Sequence, residues 1–133
     1  VDNNSGEVHS MSHVQLGCWA NLFLVMPATA NTLAQAACGM AQNLLTQTIL
    51  SFEGKTLFFP HMNWRMWEKP SVQRNIAQLV MDGYLVCPPI ETDVFEQASR
   101  SMKKGISLPH FPDILNFAFQ HFETAKKPVL EVD

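Results

Sequence analysis

The segment Pro60-His61-Met62-Asn63-Trp64-Arg65-Met66-Trp67 sets a carboxamide and two thioether side chains directly after the apolar run Thr56-Leu57-Phe58-Phe59. A buried strand ending there puts Asn63 on a sheet edge, where open α/β folds keep their ligands. Its amide carries both a donor and an acceptor, so it could orient a polar ligand, cap the short helix that follows, or do both. A second segment, Pro27-Ala28-Thr29-Ala30-Asn31-Thr32, follows Leu22-Phe23-Leu24-Val25-Met26 and opens a helix. Asn31 and the backbone amides of Ala28, Thr29 and Ala30 then stand at a helix N-terminus, which accepts electron-rich ligand atoms; a simple helix cap explains the same residues. Two strand-to-loop junctions of one kind suggest one site. His13 offers an imidazole, the side chain best suited to moving a proton near neutral pH, although by itself it reads first as a surface histidine in a polar loop.

The elements holding these residues alternate. Leu22 to Met26 is expected as a strand buried on both faces of a parallel sheet. A helix is expected from about Asn31 to Thr46, capped by Asn31 or Thr32, with Leu33, Ala36, Ala37, Met40, Leu44 and Leu45 at helical spacing. Thr56–Phe59 forms the next strand, then come a short helix over Met62–Glu68 and one over Ser71–Asp82 with Val72, Ile76, Leu79 and Val80 inward. Tyr84–Cys87 is a further strand. Residues 90–109 have weak periodicity and read as a loop or flap with a helical turn around Val94–Ser99. Asp113–Glu123 closes a single domain, 1–133, as an amphipathic helix.

Composition bounds the function. A chain of 133 residues, 47% hydrophobic and 16% charged, has one core and no more. A net charge of −3 and no basic run longer than a pair argue against nucleic acid. No apolar run approaches membrane-spanning length and no signal-peptide pattern is present, so a cytoplasmic, non-membrane protein is expected. Cys18, Cys38 and Cys87 are odd in number and lack C-x-x-C spacing, which indicates reduced thiols. His9 and His13, four apart, have no evident third ligand, and no metal site is expected.

Together Pro27–Thr32, the stretch Gly39-Met40-Ala41-Gln42-Asn43-Leu44-Leu45-Thr46 and Pro60–Trp67 resemble the flavin-dependent cysteine decarboxylases, over roughly Ser12 to Phe122. That family includes phosphopantothenoylcysteine decarboxylases and the peptidyl-cysteine decarboxylases of lanthipeptide biosynthesis. The resemblance implies a three-layer αβα, Rossmann-like or flavodoxin-like fold around a parallel sheet. It makes His13 the base for the substrate thiol, and sets Asn63 to orient thiol and carboxylate beside the flavin. It assigns Pro27, Ala28, Thr29, Ala30, Asn31, Asn43, Thr46 and Met62 to cofactor binding, with polar helix-end groups the plain alternative for Asn43 and Thr46. Met62, Met66 and Trp67 should form an apolar wall.

In this chemistry a flavin oxidises the cysteine side chain so that the carboxylate can leave, giving an enethiol. The coenzyme A branch then reduces the enethiol with a flap cysteine, and no cysteine lies between Ile90 and Pro109. Phe95 to Met102 instead resembles the peptide-clamping flap of the lanthipeptide branch, as does Leu115-Asn116-Phe117. Phe95, Ser99, Arg100, Met66 and Asn63 are therefore the expected contacts to the C-terminal cysteine of a precursor peptide, whose enethiol can close an aminovinyl-cysteine ring. Arg100, Lys103 and Lys104 could steer a carboxylate-bearing peptide, or be merely solvated. FMN is the expected cofactor, with FAD the alternative of the mersacidin branch. Trimers with flavin between subunits, and dodecamers of four trimers, are the implied assemblies. A coenzyme A pathway enzyme and a non-catalytic regulatory relative are the other readings. The first strand and helix usual in such folds are missing from the front, so the expectation is an N-terminally incomplete domain that binds flavin weakly unless they are supplied elsewhere.

Overall fold

The computed structural model describes residues 11–124. In chain order the elements are α1 (His13–Trp19), β1 (Leu22–Ala28), α2 (Ala30–Ala37), α3 (Leu44–Ser51), β2 (Lys55–Pro60), α4 (Trp64–Trp67), α5 (Pro70–Met81), β3 (Leu85–Val86), β4 (Ile90–Glu96), β5 (Ser101–Ser107) and α6 (Phe111–Thr124). β1, β2 and β3 form a parallel sheet in that order, and β4 and β5 form a separate antiparallel hairpin.

Two apolar layers sandwich β2. On one face Phe58 packs with Val25, Leu33 and Ala36 of α2, Ile49 of α3 and Leu79 of α5. On the other, Leu57 and Phe59 meet Cys87 and the inward stripe Ile114 and Ala118 of α6. Complete burial of each large side chain stabilises the fold by about 1.5–3 kcal/mol. The α/β expectation is met, with helices on both faces of the parallel sheet.

The departures have local causes. The helix expected over 31–46 is two helices, because Gly39 at φ 67 closes α2: its N–H donates to the Ala36 carbonyl and the Met40 N–H to that of Gln35. This double bond around a left-handed glycine terminates a helix, and Gly83 at φ 91 ends α5 in the same way. Met40, Leu44 and Leu45 are consequently exposed rather than core. Val80, expected inward, is 56% exposed because Leu79 takes the buried position on α5. β1 is not buried on both faces: among the described residues it pairs only with β2, and Leu24 and Met26 are exposed. The segment 90–109 is a regular hairpin, not a loop with a helical turn.

Candidate functional site

The two junctions singled out in the sequence are neighbours. β1 and β2 run parallel with Ala28 opposite Pro60, and the His61 N–H donates to the Ala28 carbonyl at 3.1 Å. Both loops therefore leave the C-terminal edge of the sheet side by side. Thr29, rather than Asn31 or Thr32, caps α2, its Oγ1 accepting from the Thr32 N–H at 3.2 Å. Pro27 and the exposed Asn31 remain at this rim, and Ala28 is fully buried beneath it.

Asn63 divides its amide between two tasks. Its Oδ1 accepts from the Arg65 N–H at 2.8 Å and caps α4. Its Nδ2 has no partner among the described residues, and Asn63 lines a cavity of about 300 Å³ between His61–Trp64 and the hairpin. The hairpin contributes Val94, Phe95, Glu96 and Lys103 to Ile106. Met62 is buried and lines this cavity, whereas Trp67 packs against the core and is not part of the lining. Met66 is 46% exposed and does not line this cavity.

Of the hairpin residues, Phe95 reaches the cavity. Ser99 and Arg100 do not line it: both belong to the hairpin tip, where Arg100 adopts φ 48. Ser99 Oγ donates to Glu96 at 2.6 Å, and that bond, aided by Arg65 and Lys103, holds the Glu96 carboxyl below the usual carboxylate range. Asn43 and Thr46 form a reciprocal cap on α3. The Asn43 Oδ1 accepts from the Thr46 N–H at 2.9 Å and the Thr46 Oγ1 accepts from the Asn43 N–H at 3.1 Å. Their plain role as helix-end groups is thus the one realised within this chain.

His13 is the first residue of α1, not part of a loop. Ser12 and Gln15 cap that helix reciprocally, through Gln15 N–H to Ser12 Oγ and Ser12 N–H to Gln15 Oε1. The His13 carbonyl accepts from Ser51 Oγ at 3.4 Å, and Ser51 closes the helix that leads into the start of β2. Asn63 lies beyond the other end of β2, whose six residues span about 20 Å. The structure does not bring His13 and Asn63 together within one chain. Beside α1, a second cavity of about 490 Å³ is lined by Leu16, Trp19, Phe23, Leu44, Leu45 and Phe52, and is almost wholly apolar. His9 lies outside the described residues, and among those residues no three His, Cys, Asp or Glu side chains gather as metal ligands. No described helix is long and apolar enough to cross a membrane.

A sheet edge with paired loops, an amide donor and a helix N-terminus suits an aromatic cofactor rich in acceptor atoms. The family model described as Flavoprotein matches residues 2–123. The chain belongs to the flavoprotein family. Within it, the chain is 45% identical over 107 residues to the mersacidin decarboxylase of Bacillus sp., covering 79% of this chain and 54% of that protein. It is 41% identical over 121 residues to the coenzyme A biosynthesis bifunctional protein CoaBC of Bacillus subtilis, covering 91% of this chain and 29% of that protein. Among solved structures, the peptidyl-cysteine decarboxylase EpiD superposes with a TM-score of 0.76 at 36% identity, over 82% of this chain and 63% of EpiD. The FMN-dependent cysteine decarboxylase SpaF does so with a TM-score of 0.68 at 39% identity, over 90% of this chain and 62% of SpaF. This flavoprotein thus spans about half the length of the mersacidin enzyme.

Proposed function

We propose that this protein takes part in oxidative decarboxylation of the C-terminal cysteine of a precursor peptide, giving an enethiol that can close an aminovinyl-cysteine ring. The observation that carries the reading is Asn63: Oδ1 is spent on its own helix, so Nδ2 is fixed and free to donate to the substrate carboxylate. Similarity to mersacidin decarboxylase and EpiD supports the same substrate class.

The chain's own groups fit a flavin at the sheet edge. The Ala30 and Asn31 N–H groups in the first turn of α2 and the exposed Asn31 amide are donors, and the buried Met62 provides apolar surface. FMN is the form we assign, as in the SpaF name. The chemistry supplied by bound flavin is removal of a hydride from Cβ of the cysteine thiolate, which leaves a thioaldehyde able to accept electrons as carbon dioxide departs. His13 takes the thiol proton, Asn63 orients the carboxylate, and Met62 keeps water out.

Because His13 and Asn63 stand at opposite ends of β2, the two act on one substrate only if they come from different copies. A trimer with its sites between subunits meets that requirement, and a larger assembly of trimers is compatible with it. Similarity to CoaBC keeps decarboxylation of phosphopantothenoylcysteine as the second reading. The absence of a cysteine anywhere in the hairpin favours the oxidative product, since no thiol is placed there to reduce the enethiol.

Anaerobic mass spectrometry of a cysteine-terminated peptide incubated with the flavin-loaded protein tests the proposal. A loss of about 46 Da, carbon dioxide plus two hydrogens, is expected, and none with His13→Asn. Turnover of phosphopantothenoylcysteine with an intact peptide would replace this reading with the second.

A further inference from the structure

The cavity beside Asn63 carries more charge than the decarboxylation itself requires, and that charge is unevenly compensated. Four of its lining residues are ionisable: His61, Glu96, Lys103 and Lys104. Glu96 and Lys103 belong to one mutually balancing group, since Ser99, Arg65 and Lys103 all favour the Glu96 carboxylate. Lys104 stands apart. Strand alternation puts it on the opposite face of β5 from Lys103, the face that also carries buried Ile106.

Directly across the hairpin from Lys104 is Asp93, in register on β4. Such a pair normally closes an ion pair, yet none forms here among the described residues. The Lys104 ammonium lies over the Trp64 indole instead, 6.0 Å from the ring centre. Trp64 is the residue after Asn63, so the cation is held on the Asn63 side of the hairpin. The same lysine borders a smaller polar recess of about 190 Å³ with Glu91, Thr92 and Asp93.

The reacting carboxylate is a poor partner for this cation. Decarboxylation draws electrons out of that group, and a salt bridge to it would stabilise the ground state more than the transition state. The neutral amide of Asn63 suits the terminal carboxylate, which leaves Lys104 for another anion. A cavity of about 300 Å³ is at the small end for ligand sites; it takes the end of a peptide rather than a long segment. Phe95, Val94 and Ile106 supply apolar surface for the peptide's body.

We infer that Lys104, seated on Trp64, is a specificity-determining residue that selects peptides with an aspartate or glutamate within two residues of the terminal cysteine. The inference rests on the peptide-decarboxylase reading above. It extends that reading from the cysteine itself to its upstream neighbours.

The test is a competition on the flavin-loaded protein between two cysteine-terminated peptides that differ only in Asp against Asn, at each of the two upstream positions in turn. The Asp peptide is expected to win in kcat/KM by about fivefold at one position, the size of an exposed ion pair, and less so in high salt. Lys104→Gln should bring the ratio near one, and Lys104→Glu should invert it toward a Lys-bearing peptide. Lys104 is exposed, so neither change threatens folding, and Lys69→Gln, at an exposed lysine outside the cavity, serves as the control expected to retain the preference. Equal turnover of Asp and Asn peptides, or a preference untouched in Lys104→Glu, overturns the inference while leaving peptide decarboxylation standing. No turnover of any peptide overturns both.

Discussion

The two ends of β2 differ in kind. At the C-terminal end, paired loops, a donor amide and a charged hairpin surround a small mixed cavity. Near the N-terminal end, His13 sits on a short helix packed against α3, beside a larger cavity with scarcely a polar atom. Asn63, His61 and the charged hairpin residues thus gather at one end, while His13 belongs to the other. For His13 to be the base for a substrate held by Asn63, as proposed, a second copy must bring its histidine to the first copy's asparagine.

Complementation would break that comparison most decisively. His13→Asn and Asn63→Asp are each expected to lower kcat by about 10²–10⁴, the usual range for a positioned acid–base group. Mixed under conditions that exchange subunits, the two inactive variants should regain about a quarter of the sites, because a site between copies can draw each intact residue from a different chain. Recovery of nothing in verified mixed oligomers would return both residues to one chain's site. Asn63→Asp also separates the two jobs of the amide: the carboxylate can still accept from the Arg65 N–H, so the melting temperature should hold while activity falls. Asn63→Ala should lose both, with about 1 kcal/mol of stability gone with the cap.

Thiol chemistry sharpens the comparison less violently. Cys18 on α1 and Cys38 at the end of α2 are exposed, whereas Cys87 is buried just past β3. Burial, and secondarily the nearby Asp113 charge, push the Cys87 thiol pKa up, so its thiolate is scarcer at every pH below that raised value. Timed alkylation at pH 8 with peptide mapping should label Cys18 and Cys38 well before Cys87, by roughly tenfold or more. Equal rates would mean that the sheet opens at β3 far more readily than its packing implies.

What could be read from the sequence follows a physical line. Strand β2 and its loop were legible because Thr56–Phe59 is apolar on both faces and ends at a proline, and the neighbouring β1 junction repeats the pattern. The hairpin was not. Its tip has no Asn-Gly or Gly pair to announce a tight turn, and Arg100 takes the left-handed conformation that glycine or asparagine usually supplies. The break after α2 had a signal that outweighed helical spacing, namely Gly39 followed by an Asn43–Thr46 cap. Helix α1 had one too, Ser12-x-x-Gln15, a capping box that turns a polar stretch into a helix. The division of His13 and Asn63 between two ends of a strand was beyond any local pattern, because it depends on how α1 docks against Ser51.

That capping box yields the smallest effect and the most local one. Ser12→Ala removes the acceptor for the Gln15 N–H while Gln15 Oε1 keeps its own bond to the Ser12 N–H, so the cost is about 1 kcal/mol. A helix of seven residues with no buried side chain has little else to hold its first turn. The loss should therefore appear as faster amide exchange over α1, with β2 amides unchanged and the global melting temperature shifted little. If His13 acts from that first turn, kcat falls along with α1 protection, and a Ser12→Asp cap, which restores an acceptor, brings both back together. Activity that stays constant while α1 frays would remove His13 from the reaction and leave Asn63 and the hairpin as the whole of this chain's contribution.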